Sequence, residues 1–103
     1  MRKAKVFVNG VLAGELQEIT RGHHYRFIYL EGYKGSSVSL EMPIIKQVYA
    51  FDRFPPFFEG LLPEGFMLEA LLKQSKIDRN DLMSQIIAVG HDLVGNVTIK
   101  GVE

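Results

Sequence analysis

Lys5-Val6-Phe7-Val8-Asn9-Gly10-Val11-Leu12-Ala13-Gly14-Glu15-Leu16 is the stretch that decides the fold class. Asn9-Gly10 separates two apolar-rich runs. Both central residues of a type I′ turn take positive φ, and Asn-Gly reaches that region at little cost. The stretch therefore reads as a β-hairpin.

Working outward, His24-Tyr25-Arg26-Phe27-Ile28-Tyr29-Leu30 is rich in aromatics and reads as a third strand. Tyr25, Phe27 and Tyr29 share one face, and Arg26, Ile28 and Leu30 the other. The second face is only partly polar, so the strand is expected to be covered on both sides. Glu31 to Ser37 is a loop by composition. Val38 to Met42 reads as a short strand that Pro43 ends. Lys46 to Phe51 is ambiguous, with a strand favoured. Pro55-Pro56 is expected to break any regular element.

A helix is expected to begin at Pro63, because proline lacks an N–H that would have no partner at the first helical position. Glu64 would then favour the positive end of the helix dipole. Leu68, Leu71 and Leu72 would form a core-facing stripe. Asp78 is expected to cap a second helix, with Asp81 in its first turn. Leu82, Ile86 and Val89 line one face of it, and Gly90 fits the residue beyond its end. Val97 to Lys100 reads as a closing strand. The order predicts one α+β domain over residues 1–103: a small, hairpin-based antiparallel sheet of about five strands, with two α-helices inserted before the last strand.

The 103 residues suit one domain, and 47% are hydrophobic, which fits a buried core and argues against disorder. Twelve basic residues balance twelve acidic ones. That balance gives no footprint for direct nucleic-acid contact and no attraction to a membrane surface. There is no cysteine, which excludes disulfides and thiol chemistry. The N-terminus lacks the apolar run of a signal peptide, and nothing approaches the length of a membrane helix. A soluble, cytoplasmic protein is expected.

The chain carries few motifs of chemistry. Gly90-His91-Asp92-Leu93-Val94-Gly95 has P-loop glycine spacing, but Asn96-Val97 stands where Lys and Ser/Thr should contact phosphates and magnesium. A helix stop and a turn into the last strand account for the run, with Asp92 bonding locally. His23 and His24 would point to opposite faces of a strand, and with no cysteine and no histidine pair at helical spacing, His91 included, zinc is not expected. Asp52, Glu59, Glu64 and Glu69 are candidate carboxylates, but solvation and the helix dipole explain them. Kinase signatures are absent. No catalytic, cofactor-binding or metal-ligating residue is assigned, and no cofactor is expected.

One oddity remains. Phe51, Phe54, Phe57, Phe58, Phe66 and Met67 crowd into a short span. Helical geometry sends Leu68, Leu71 and Leu72 inward, lets Met67 join Leu71 at the edge, and puts Phe66 on a different face from Leu72. Phe66 is then either a partner anchor or is hidden under the Phe51–Phe58 loop.

The chain resembles the N-terminal subdomain of HipA-type kinase toxins, and most closely the stand-alone HipS proteins. The resemblance is carried by Val8-Asn9-Gly10 with Gly14-Glu15-Leu16, by Tyr25-x-Phe27-x-Tyr29, and by Ser39-Leu40-x-Met42-Pro43. Phe58-x-Gly60-Leu61-Leu62-Pro63-Glu64-Gly65 and Val89-Gly90-x-Asp92-x-Val94-Gly95-x-Val97 complete it. Asn96 replaces the family's usual alanine, a departure confined to a turn. In fused toxins the module packs on a kinase core that carries the catalytic residues. The resemblance implies a non-enzymatic antitoxin of a HipBST-type system that binds and restrains a HipT-like serine/threonine kinase. A HipB-like DNA-binding protein would complete the complex. Together with the aromatic placed in the first turn of the helix, it points to partner contact through Leu62, Pro63, Glu64, Gly65, Phe66 and Met67. A non-inhibitory scaffold linking kinase to repressor is the alternative.

Overall fold

Asn9 and Gly10 take φ of 51° and 80°, so the expected hairpin turn is present. The computed structural model describes residues 1–93 and 95–102. The hairpin joins β1 (Arg2–Val8) to β2 (Val11–Thr20), and β3 (His24–Tyr29) and β4 (Val48–Phe51) extend the sheet on one side. Among the described residues, three helices follow: α1 (Pro56–Glu59), α2 (Gly65–Ser75) and α3 (Leu82–Val89). β5 (Val97–Val102) then pairs with β1, giving an antiparallel sheet of order β4-β3-β2-β1-β5. The α+β class, the five strands and the helices before the last strand agree with the expectation. Among the described residues, no helix is long and apolar enough to cross a membrane.

Strand alternation sends Ala4, Val6, Val8, Leu16, Tyr25, Phe27, Tyr29, Val97 and Ile99 to one face, where all are buried. Phe54 meets the Tyr25 ring edge-on at 5.3 Å between centroids, and Phe58 lies 5.9 Å from Phe27. The opposite face bears Lys5, Arg26, Ile28 and Lys100, all half-buried or exposed. β3 is therefore not covered on both sides. Ile28 and Leu30 sit among polar neighbours, and Arg26 donates to the Gln17 side-chain oxygen at 2.9 Å. An antiparallel sheet tolerates one wet face.

Several local expectations are corrected. Val38–Met42 forms no strand; Ser39 and Met42 make only an isolated pairing. The Tyr29 hydroxyl replaces a strand partner, accepting from the Val38 N–H at 2.8 Å and donating to the Met42 carbonyl. Lys46–Phe51 does supply a strand, over Val48–Phe51. Pro56 opens a helix instead of breaking one, since its missing N–H costs nothing in a first turn. That adds a short third helix, which seats Phe58 in the core.

The longer helix begins at Gly65, not Pro63. The N–H groups of Leu61 and Leu62 return to the carbonyls of Phe58 and Glu59, so Pro63 falls in the connector after α1. Leu68, Leu71 and Leu72 are only half-buried, because α2 packs on α3 and sinks no side chain fully into the core. Asp81, not Asp78, caps α3: its carboxylate accepts the Ser84 N–H at 3.1 Å, while Asp78 accepts the Asp81 N–H through its backbone. Gly90 is right-handed, with φ −59°, so it is no left-handed helix stop. Glycine is needed there because a Cβ would lie 2.2 Å from the Ile99 carbonyl oxygen of β5.

Candidate partner-binding site

Two side-chain clusters fix where the helices stand. At one end of the sheet, the Arg2 guanidinium reaches both Glu18 of β2 and Asp81 at the start of α3. Burial raises Asp81, yet the bonds from Arg2 and Ser84 outweigh it and hold the group at about 2. Burial likewise raises Glu18, but Arg2, the Gly22 N–H and the Tyr25 hydroxyl keep it below its ordinary value. Tyr25, buried and donating to Glu18, is pushed up to about 12. This cluster went unseen in the sequence, because its members are far apart in the chain and match no motif. At its other end α3 meets β5, where the Ile99 N–H donates to the Gly90 carbonyl at 2.8 Å.

The connector from α1 runs alongside this helix. Glu64 is extended, Gly65 turns the chain with φ 58°, and α2 begins. Phe66 and Met67 then fall in the first turn, 94% and 72% exposed. The alternative in which the preceding loop hides Phe66 does not occur. Phe54 and Phe58 point to the sheet, and Phe51 and Phe57 lie half-buried against the same core. An exposed phenylalanine forgoes about 1.5–3 kcal/mol of burial.

A groove of about 550 Å³ opens beside Met67. Leu62, Pro63, Met67 and Leu71 form one side, and Ala88 and Leu93 the other. Glu64, His91 and Asp92 also line it. Four of the six residues expected at a partner surface, Leu62, Pro63, Glu64 and Met67, thus share one concavity. Phe66 and Gly65 are outside its lining, in the same first turn. The far wall, from the end of α3, was not anticipated, since nothing in the sequence says that this end returns to the α1–α2 connector.

The other sequence candidates are dispersed. His23, His24 and His91 are exposed, and among the described residues no group of three His, Asp or Glu could hold a metal ion. Asp52, Glu59 and Glu64 are exposed, and Glu69 pairs with Arg79 at 2.8 Å on the surface. In the glycine-rich run, the Asp92 N–H bonds to the Val89 carbonyl at 2.9 Å and Gly95 has φ 102°. Val94 of that run lies outside the described residues. The segment joins a helix to a strand, opposite in order to a phosphate loop.

Comparison with known proteins bears on this geometry. A Haemophilus influenzae protein described as uncharacterized is 33% identical over 100 residues, covering 97% of this chain and 92% of its own length. A solved structure described as the N-terminal domain of HipA toxin is 30% identical and superposes with a TM-score of 0.78. It covers all of this chain, which in turn covers 94% of it. The HipA N-terminal domain family matches residues 4–100. The chain therefore belongs to the HipA N-terminal domain family.

Proposed function

We propose that this chain is a non-catalytic binding subunit that docks on a separate HipT-like serine/threonine kinase and inhibits it. It would act as the antitoxin of a HipBST-type toxin–antitoxin system in the cytoplasm, with a HipB-like DNA-binding protein in the complex. One observation carries the reading: Phe66 and Met67 stand in water on the first turn of α2, beside an apolar groove. Membership of a family in which one solved structure is described as a toxin's N-terminal domain supports it. A rigid aromatic at a helix start anchors an interface well, because it buries much area at little conformational cost.

In the proposed mechanism Phe66 enters the kinase cleft, and Leu62, Pro63 and Met67 fill the apolar rim around it. The kinase is restrained by exclusion of nucleotide or substrate, or by lobes held apart. Co-expression tests the reading. Cells producing the kinase should recover growth when this chain is supplied, and the two proteins should purify together. Copurification without recovered growth would assign the scaffold role instead; no association would end the proposal.

A further inference from the structure

Leu40 and Ile45 are 99% and 92% exposed, which puts them beside Phe66 among the most exposed large apolar side chains of the described residues. Their loop, residues 30–47, is not loose. Val38 and Met42 are buried beneath it. The Tyr29 hydroxyl bonds both of their backbones, the Tyr49 hydroxyl donates to the Pro43 carbonyl, and the Ile44 N–H donates to Ser37 Oγ at 3.0 Å. The Lys46 ammonium sits 5.1 Å over the Tyr49 ring. The loop thus holds two residues in and two out.

Topology sets the loop at the same end of the molecule as the groove. Gly14 pairs with Tyr29, Val8 with Val11 and Val97, and the Asn9 N–H bonds to Asn96, so β3 ends where the hairpin turns and β5 begins. The loop leaves from that end. α3 runs toward it, from Asp81 beside Arg2 to Gly90 beside Ile99. The chain entering α1 advances the same way, from Phe54 on Tyr25 to Phe58 on Phe27.

We propose that Leu40 and Ile45 form a second apolar contact on the kinase that takes Phe66; the inference rests on the kinase-binding reading above. Area supports one shared partner. A stable interface covers about 800 Å² per protein. An interface of that size draws on about 20–30 residues of each protein, so the six residues around Phe66 leave much of it to be found elsewhere. Glu31 and Glu41 offset Lys34 and Lys46 in the loop, so the contact is apolar and not a charge match. A loop already fixed by hydrogen bonds loses little entropy on docking.

The kinase titrated with wild-type chain and with the Leu40→Ser/Ile45→Ser double variant gives the test. The double variant should bind about tenfold or more weakly, with an unchanged melting temperature. Amide exchange in the wild-type complex provides a reading free of substitution: residues 38–46 should slow on kinase binding. Equal affinity, or unchanged exchange in that segment, overturns the second contact while leaving Phe66 docking intact. Sedimentation that shows the isolated chain pairing through Leu40 and Ile45 would give the patch to a second copy and also overturn it. A wild-type chain that does not bind the kinase at all defeats the underlying reading as well.

Discussion

Arg2 grips Glu18 across the first hairpin, Nε to Oε1 at 2.6 Å, with the carboxylate only 3% exposed. The same guanidinium reaches Asp81 at 2.9 Å, so one side chain ties two strands to the start of α3. The groove wall at the far end of α3 depends on that alignment. Arg2→Ala would leave Glu18 buried beside the Tyr25 hydroxyl with no cation. Removing one partner of a fully buried pair costs roughly 3–5 kcal/mol. Arg2 itself keeps 28% exposure, so a loss of about 2–3 kcal/mol is expected in urea denaturation. A loss below about 0.5 kcal/mol, typical of plain surface changes, would show that the grip is incidental.

The same cluster sets an acid limit. Glu18 and Asp81 are both lowered in the folded chain, Asp81 to about 2. A lowered carboxylate stabilises the fold above its unfolded value and loses that contribution as pH falls through the folded one. Stability should therefore fall from about pH 4, the ordinary carboxylate range, down to about pH 2. Melting temperature followed from pH 6 to pH 2 should show this decline, and Asp81→Asn should make it shallower, leaving the share due to Glu18.

The position of the α3 cap gives a third test. Asp81→Ala removes both the bond to the Ser84 N–H and a partner of Arg2. It should cost about 2 kcal/mol in thermal unfolding, the upper end of the range for a lost cap. Asp78→Ala removes neither, and should change stability by less than about 0.5 kcal/mol. The reverse order would place the helix start three residues earlier.

Glycine substitutions separate two reasons for glycine. Gly90→Ala sets a Cβ 2.2 Å from the Ile99 carbonyl and must push β5 away. A cost of about 1–3 kcal/mol is expected, as for an overpacked core. Gly60→Ala meets nothing nearer than 3.4 Å, at a right-handed φ of −65°. It should be neutral, or stabilising by up to about 1 kcal/mol. Equal losses at both positions, read from denaturant midpoints, would contradict the close packing of α3 on β5.

Much of the architecture was legible because it is local. Asn9-Gly10 specifies its turn through φ alone, and the aromatic alternation from Tyr25 to Tyr29 specifies a strand face. Misreadings arose where a distant group took over a local role. Tyr29 supplies the partner that Val38 and Met42 would otherwise need from a strand. Arg2 holds Asp81 at the cap that Asp78 was expected to fill. Pro56 opens a helix because Phe58 has a place to go under Phe27. Of the candidate site, the exposed Phe66 followed from helical geometry only as one of two options. Its groove's second wall depends on tertiary return of the chain, which periodicity does not encode.

Phe66 is the proposed anchor of this chain on a kinase. With 94% of the side chain in water, Phe66→Ala should leave the melting temperature unchanged. It should weaken binding to the partner kinase by about 2 kcal/mol or more, roughly thirtyfold. An equilibrium titration of that kinase with wild-type and Phe66→Ala chains measures this directly. A thirtyfold separation of the two curves is the predicted result; superimposable curves from two equally folded proteins would contradict it.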